Sequence, residues 1–196
     1  MTTYACARAV TPEGLVDDVA IEVDDGIISS VTCGLPVGPD VVDLGEVTVV
    51  PGFVDMHVHG GGSYSFSEGP QAATKAAAFH LQHGTTSLLA SLASASLDDL
   101  AEQTVQLRPL VDAGVLAGLH LEGPFLNECR RGAHNPVLLM DPDVDWLLSV
   151  LGNGVKMVTL APELEGGLDS IRAITAAGVV AALGHSDATY EQAVEA

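Results

Sequence analysis

Positively charged residues are scarce in this sequence of 196 residues, which has 7 Lys and Arg against 26 Asp and Glu and a formal net charge of −19. Nucleic acids and anionic membrane surfaces are bound through clustered Lys and Arg. The composition therefore argues against both kinds of partner. Solubility is a sufficient explanation for the excess of acidic residues.

Cysteines and long apolar stretches are also few. Cys6, Cys33 and Cys129 are widely spaced and form no CxxC pair, which predicts neither a disulfide framework nor a thiolate zinc site. The N-terminus has no basic region ahead of an apolar core, and no stretch approaches the roughly 18 consecutive apolar residues of a membrane span. We expect a soluble, cytoplasmic protein.

Hydrophobic residues make up 47% of the sequence and charged residues 17%, as is typical of a globular protein with many buried strands. In the first 50 residues, short alternating runs are broken by turn residues. The runs Val19–Val23 and Ile27–Val31 are joined by an Asp-Asp-Gly turn, which predicts a hairpin. Residues 1–50 are therefore predicted to form a small β-sandwich segment.

After residue 50, apolar strands alternate with Ala-rich helices. Near-continuous apolar strands separated by helices indicate parallel strands that are covered on both faces. We predict an α/β fold in which residues 51–196 form the N-terminal portion of a (β/α)8 TIM-type barrel, and a doubly wound open sheet is the alternative. The predicted strands after the first are Thr85–Leu92, Val115–Glu122, Val155–Leu160 and Val179–Leu183, and the predicted helices are Pro70–Gln82, Leu97–Ala113, Asp143–Leu151 and Leu168–Ala177.

The first strand of this region carries two histidines near its end. His57 and His59 are separated by one residue and are followed by three glycines, so an extended strand would point both imidazoles to the same side. Two imidazoles beside a glycine turn favour a metal site on the rim of a barrel. The alternative is an ordinary pair of histidines in a turn.

Further polar residues end the later strands. His120 and Glu122 share one face of the third strand; His120 suits a hydrogen-bonded core position, whereas Glu122, at the end of an apolar strand, needs a partner such as a divalent cation. His185 lies just past the fifth strand. Together with His57 and His59, Glu122 and His185 bring four nitrogen and oxygen donors to one rim, which predicts a divalent metal site.

The number of strands is too small for a complete barrel. Five of eight strands are present, and about 146 residues follow the first segment, whereas a full barrel needs ~250. We expect the chain to be the N-terminal part of a longer protein and to be inactive alone. The alternative is a truncated, non-catalytic relative that can at most bind a metal.

Five motifs resemble the N-acetylglucosamine-6-phosphate deacetylases of the amidohydrolase superfamily. The resemblance covers residues 47–196 and is specific, because HxH occurs throughout the superfamily but HLEGPF, GAHNP and GHSDA in this order are typical of these deacetylases. It implies a β-sandwich and a metal-bearing (β/α)8 barrel, a homodimer, and removal of the acetyl group from N-acetyl-D-glucosamine 6-phosphate. The motifs are Pro51–Gly60, His120–Asn127, Gly132–Pro136, Leu160–Glu163 and Gly184–Thr189.

The resemblance also implies roles for individual residues. Glu122 and His185 would bind the principal divalent metal, expected to be zinc, together with a histidine located beyond this chain. His57 and His59 match the ligands of a second ion, which Glu122 would bridge, although some members lack this pair and hold one ion. Other amide hydrolases of the superfamily remain an alternative.

Two loop positions match residues that contact the sugar in these deacetylases, namely Ala133 and His134. The catalytic aspartate and most phosphate contacts are expected beyond Ala196, so no catalytic residue is predicted within the chain.

Two features near these motifs allow more than one interpretation. Cys129 lies on the loop between Glu122 and His134, which could be a lid that carries a thiol near the metal or simply an exposed loop. Arg130 and Arg131, next to it, could attract a sugar phosphate or be solvated on the surface. Asp187 is predicted to cap the last helix in preference to a catalytic role.

Overall fold

The computed structural model describes all 196 residues. The chain divides into two compact units, Met1–Gly52 and Phe53–Ala196. None of its helices combines the length and the apolar character needed to span a membrane.

The N-terminal unit is a single five-stranded sheet. In space its strands run β3, β2, β1, β4, and β5 also pairs with β1. The hairpin predicted between β2 and β3 is confirmed, and its two turn residues, Asp25 and Gly26, have φ values of 49° and 77°, as a type I′ turn requires. The strands are β1 Thr2–Thr11, β2 Gly14–Asp24, β3 Ile27–Cys33, β4 Val41–Asp43 and β5 Thr48–Val49.

This arrangement differs from the predicted β-sandwich, because all five strands belong to one sheet and no second sheet faces it within these residues. The central strand, β1, was not predicted. Its sequence is rich in small residues and lacks a clear alternation of large apolar side chains, so its strand signal is weak. The small core of this unit accordingly contains Cys6, Ala9 and Val19.

The second unit alternates parallel strands and helices. A short hairpin and a 3₁₀ turn, Phe66–Glu68, follow its first strand, and two further 3₁₀ turns, Glu128–Arg130 and Pro136–Leu138, lie in the loop after Glu122. The elements are β6 Phe53–Val58, β7 Gly60–Gly61, β8 Tyr64–Ser65, α1 Pro70–Leu81, β9 Thr85–Ala93, α2 Leu97–Asp112, β10 Gly118–Glu122, α3 Val144–Leu151, β11 Val155–Leu160, α4 Gly167–Ala176, β12 Val180–Leu183 and α5 Tyr190–Glu195.

The five long strands of this unit form one parallel sheet in the order β6, β9, β10, β11, β12. Each strand lies beside the strand that precedes it in the sequence. In a doubly wound sheet, by contrast, the strand order reverses at a switch point. The predicted α/β fold is therefore confirmed, and its order agrees with the barrel interpretation rather than with the doubly wound alternative. In this order the carboxyl ends of all five strands lie along one edge.

The central strand, β10, shows how the sheet separates apolar from polar groups. All five of its residues are buried. Leu119 and Leu121 belong to the hydrophobic core that also contains residues of α2, α3 and α4, whereas His120 and Glu122 have polar partners. Because side chains alternate along a strand, the polar residues of β10 lie on the face of the sheet opposite the helix-covered one. We call this polar face the inner face.

Helix boundaries follow local signals in most places. Ser96 caps α2 by accepting a hydrogen bond from the Asp99 backbone NH, as serine commonly does at this position. The prediction that Asp187 caps the last helix is wrong: Thr189 is the N-cap of α5 and forms a capping box with Gln192. A Thr followed three residues later by Gln is itself a capping signal, and it outweighs the acidic residue two positions earlier.

Candidate metal centre

The carboxyl edge of the parallel sheet brings distant residues together. His57 lies within β6 and His59 directly follows it, Glu122 is the last residue of β10, and His185 comes two residues after β12. Their side chains meet because the strands are parallel, neighbouring elements that end at one edge. The four predicted metal ligands are thus placed in one location.

The Glu122 carboxylate is the centre of this arrangement. Its Oε1 lies 3.2 Å from Nε2 of His57 and 3.0 Å from Nε2 of His185. Its Oε2 lies 2.8 Å from Nε2 of His59. The Nε2 atoms of His57 and His59 are 3.2 Å apart, so the two imidazoles point the same way, as predicted.

His134 joins the same group from the loop after β10. Its Nε2 lies 3.5 Å from Oε2 of Glu122, and its ring packs edge-on against that of His185, with centroids 4.8 Å apart. We call Glu122 and the four surrounding histidines, at 57, 59, 134 and 185, the rim cluster. The neighbouring residue Ala133 is exposed and lies outside this cluster.

The position of His134 against Glu122 was not predicted from the residues themselves. His134 lies in a loop without regular periodicity, twelve residues after the end of β10, so no strand or helix pattern links it to the sheet edge. The resemblance assigned it only a contact with the sugar.

In His59 and His185, a hydrogen bond at Nδ1, the ring nitrogen farther from Glu122, determines which nitrogen carries the hydrogen. The Nδ1 atom of His59 is 3.1 Å from the Ser91 carbonyl oxygen, and Nδ1 of His185 is 2.8 Å from the Arg130 carbonyl oxygen. Because a carbonyl can only accept, each Nδ1 carries the hydrogen and donates it. In the neutral rings, both Nε2 lone pairs then point at carboxylate oxygens, which also carry lone pairs.

Such facing lone pairs require a cation between them, either a proton or a metal ion. The contacts raise the pKa of His59, mainly through its hydrogen bond with Glu122 and against the effect of burial. For Glu122, burial alone would raise the pKa, but hydrogen bonds from His59 and His185 and the nearby charge of His57 hold it well below its usual value. The cluster therefore favours an ionised carboxylate beside a positive charge.

The rim cluster fits a divalent metal ion. Zinc binds imidazole nitrogen and carboxylate oxygen at about 2.0–2.2 Å, so two ligands of one ion lie roughly 3 Å apart, as do the donor atoms here. Two sets of three donors are close enough to share an ion, because the atoms within each lie within 4.8 Å of one another. The sets are His57, His59 and Glu122, and Glu122, His134 and His185.

Two glycines allow the backbone to close around the cluster. Gly123, directly after Glu122, has a φ of 85°, and a Cβ there would clash with Oγ of Ser94. Gly60, directly after His59, has a φ of 156°, and a Cβ there would clash with the Tyr64 backbone. Any other residue at these positions would be strained and would push the neighbouring loop away from the cluster.

One step deeper on the inner face of the sheet lies His120, which has no exposed surface. Its Nδ1 is 2.8 Å from Oγ of Ser91 and its Nε2 is 2.8 Å from Oγ1 of Thr159. The predicted core role is confirmed. Burial lowers the pKa of His120 to about 4, so the ring is neutral near pH 7. We call His120, Ser91 and Thr159 the buried layer.

Three loops beside the rim cluster are connected through Glu163, which follows β11. Its carboxylate accepts hydrogen bonds from Asn127, Ser186 and the backbone of Asp187. Burial opposes its ionisation, but these hydrogen bonds prevail and lower its pKa. The Asp187 side chain, instead of capping α5, pairs with Arg130 at 2.6 Å.

The two alternatives for the loop between Glu122 and His134 can be compared with its contacts. Cys129 is exposed and belongs to neither set of converging donors. Arg131 donates a hydrogen bond to the His134 carbonyl oxygen at 3.1 Å. Arg130 pairs with Asp187. Both arginines therefore have partners within the protein and stabilise the loop.

The chain is similar in sequence and in structure to known proteins. The solved structure of N-acetyl-D-glucosamine-6-phosphate deacetylase from Mycobacterium smegmatis is 42% identical, with a TM-score of 0.92, and the match covers 100% of this chain and 57% of that chain. Its mutant in complex with N-acetyl-D-glucosamine-6-phosphate has the same identity and TM-score.

The curated relatives are named for two different substrates. N-acetylglucosamine-6-phosphate deacetylase of Lysinibacillus sphaericus is 31% identical over 95% of this chain and 51% of its own length. N-acetylgalactosamine-6-phosphate deacetylase of Escherichia coli O157:H7 is 30% identical over 94% of this chain and 50% of its own. The chain thus spans about half the length of these relatives.

The resemblance inferred from the motifs is therefore confirmed by whole-chain similarity to the deacetylases. A sequence model of the amidohydrolase family matches residues 48–196, which include every residue of the rim cluster. The chain belongs to the amidohydrolase family.

Proposed function

We propose that this chain supplies the metal-binding part of a deacetylase that hydrolyses N-acetyl-D-glucosamine 6-phosphate to D-glucosamine 6-phosphate and acetate. The convergence of four imidazoles on the Glu122 carboxylate carries the proposal. The 42% identity to the Mycobacterium smegmatis deacetylase supports the choice of substrate.

Glu122 and His185 would hold the principal ion, which we propose is zinc, and His57 and His59 would hold a second ion bridged by Glu122. When bound, such ions polarise a carbonyl and lower the pKa of a bound water toward ~7. Glu122 is suited to bridging because it is buried and ionised and lies between the two groups of histidines, with each of its oxygens within 3.5 Å of one histidine from each group.

His134 is suited to orienting the substrate. Burial lowers its pKa, which keeps the ring neutral, and its Nδ1 is held 2.8 Å from Oγ of Ser94. A neutral ring whose position is fixed can donate or accept one hydrogen bond at Nε2. We propose that His134, with the adjacent Ala133, contacts the sugar beside the metal ions.

A second candidate substrate is N-acetyl-D-galactosamine 6-phosphate, because curated relatives at 30% and 32% identity carry that name. The two sugars differ only in the configuration of the C4 hydroxyl. The acetamide and the metal chemistry would be the same for both. Selectivity would therefore depend on hydrogen bonds to C4 and not on the rim cluster.

The same family membership leads us to propose the larger assembly. The parallel sheet would be five consecutive strands of a (β/α)8 barrel, which agrees with its strand order. Apolar side chains on both outer strands, Phe53 at 64% and Val180 at 58% exposure, are suited to packing against further strands. We also propose a homodimer, by resemblance to the deacetylases, and a cytoplasmic location, because the odd, widely spaced cysteines suit a reducing compartment.

The test uses the complete protein, purified with its bound metal. Metal content would be measured by inductively coupled plasma mass spectrometry, and acetate release from each sugar phosphate before and after chelation. We expect one or two divalent ions per chain, loss of activity on chelation and a higher kcat/KM for the glucosamine derivative. Metal-independent acetate release would reject the proposed mechanism, and a preference for the galactosamine derivative would select the second candidate. Sedimentation analysis would test the dimer.

A further inference from the structure

We propose that Glu163 is a positioning residue that holds the loop of His185 so that its Nε2 faces Glu122. The inference rests on the proposed metal-binding function and goes beyond it by assigning a role to a residue that is not a metal ligand. Glu163 belongs to neither set of converging donors. Its carboxylate instead accepts hydrogen bonds from three donors in two neighbouring loops.

The contacts of Glu163 connect the carboxyl ends of three strands. Its Oε1 accepts hydrogen bonds from Nδ2 of Asn127, after β10, at 2.9 Å and from the backbone NH of Asp187, after β12, at 2.6 Å. Its Oε2 accepts one from Oγ of Ser186 at 2.7 Å. Glu163 itself lies after β11, so one side chain ties the loops on both sides of its own strand.

The loop after β12 needs such support because of the conformation of His185. His185 has a φ of 50°, in the left-handed region that residues with a Cβ rarely adopt. A residue in this region persists when its surroundings fix it. Both residues that follow His185 donate to Glu163, so the carboxylate fixes the chain immediately beyond the unfavourable residue.

The loop that bears Asn127 holds the other side of the His185 ring. The backbone NH of Asn127 donates to the His185 carbonyl oxygen at 2.9 Å, and the Arg130 carbonyl oxygen accepts from Nδ1 of His185 at 2.8 Å. Glu163 binds both this loop and the loop of His185. It therefore fixes the ring and the acceptor that sets its tautomer relative to each other.

A second contact between these loops is weaker. Arg130 pairs with Asp187, but their side chains are 61% and 49% exposed, and exposed ion pairs contribute little to stability. Glu163 is half-buried and makes three charge-assisted hydrogen bonds, which are stronger than neutral ones. The position of His185 should consequently depend more on Glu163 than on Arg130.

The test compares Glu163→Ala and Glu163→Gln with the parent in the complete protein. Zinc affinity would be measured by competition with a chromophoric chelator, and the thermal midpoint of the metal-free forms by circular dichroism. Because groups that orient a metal ligand typically contribute about 10- to 100-fold to metal affinity, we expect such a loss for Glu163→Ala. Gln keeps one acceptor oxygen, so Glu163→Gln should recover most of it and bind about three- to tenfold more weakly than the parent.

Glu165→Gln is the matched control, because Glu165 lies two residues away, is exposed and should leave zinc affinity unchanged. A zinc affinity of Glu163→Ala within twofold of the parent, with only a lower thermal midpoint, would show a merely structural role and overturn the inference. If Glu163→Ala fails to fold, parental affinity in Glu163→Gln would overturn it instead. A parent without stoichiometric metal would reject the proposed function itself, and with it this inference.

Discussion

The rim cluster and the buried layer hold histidines in opposite ways, although both lie on the inner face of the same sheet. His120 and Glu122 are two residues apart on β10. In the buried layer, both ring nitrogens of His120 face hydroxyl groups. In the rim cluster, the Nε2 atoms of four histidines face one carboxylate.

The difference comes from what each partner can do in a hydrogen bond. A hydroxyl can donate or accept, so Ser91 and Thr159 satisfy a neutral His120 in either tautomer. A carboxylate only accepts, and the backbone carbonyls behind His59 and His185 also only accept. His59 and His185 therefore need a proton or a metal ion between their Nε2 atoms and Glu122, whereas His120 needs neither.

Replacement of the Glu122 carboxylate should have the largest effect on metal binding and is the strongest test of the difference between the two regions. Glu122→Gln keeps the size of the side chain but removes the charge that both sets of donors share. We expect the complete protein to lose nearly all bound metal, by at least about 100-fold in affinity, because the site has few ligands. Mass spectrometry of the purified variant measures this.

Glu165→Gln is the control for that variant, since it removes one negative charge from an exposed position. Metal content equal to the parent in Glu122→Gln would mean that the rim cluster is a hydrogen-bonded network like the buried layer. The contrast between the two regions would then disappear.

Replacement of the HxH pair should divide the rim cluster. If His57 and His59 hold a second ion, the double replacement by Ala should lower the metal count by one, while Glu122 and His185 keep the other ion. The expected ratio of metal per chain therefore falls from about two to about one. An unchanged ratio would mean that His57 and His59 have a structural role and that the metal is bound through Glu122 and His185.

Local signals in the sequence predicted much of this arrangement. The apolar runs gave Val155–Leu160 with the observed bounds, and they placed Thr85–Leu92 within one residue of its observed end. His57 and His59 point the same way because strand geometry requires it. Parallel strands then bring Glu122 and His185 to the same edge, so four of the five cluster residues could be assigned before the structure was known.

The remaining features depend on loops, where periodicity carries no information. His134 reaches Glu122 from an irregular segment, and Glu163 acts through bonds to residues 23 and 36 positions away. In the N-terminal unit, the central strand β1 is rich in small residues, so its sequence lacks the alternation of large apolar side chains that predicts a strand. These contacts arise from tertiary folding and leave no pattern at a fixed spacing in the sequence.

Removal of the buried imidazole should affect stability instead of metal binding. His120→Leu removes a buried hydrogen-bond partner from the hydroxyls of Thr159 and Ser91, although the Ser91 hydroxyl still accepts from the Val58 backbone NH. A buried group left unsatisfied costs about 1–3 kcal/mol and Ser91 keeps one partner, so we expect the free energy of unfolding to fall by about 2–4 kcal/mol with zinc affinity within about threefold of the parent. Urea denaturation and chelator competition measure the two quantities. Loss of metal without loss of stability would reverse the roles assigned to the two regions.

The pH dependence of stability provides a finer test of the buried layer. The pKa of His120 is about 4 in the folded protein, against about 6.5 for an unfolded histidine. Because the unfolded chain binds the proton first, the contribution of neutral His120 is fully present above pH 6.5 and is lost progressively as the pH falls through this window. Between pH 7 and pH 5, this amounts to about 2 kcal/mol, at 1.36 kcal/mol per pKa unit.

Other groups titrate in the same range, so the useful quantity is the difference between parent and His120→Leu, both metal-free and measured by urea denaturation. The parent should lose about 2 kcal/mol more than the variant between pH 7 and pH 5. Equal losses would mean that His120 is protonated as readily in the folded chain as in the unfolded one. Burial would then not keep it neutral, and the buried layer would resemble the rim cluster.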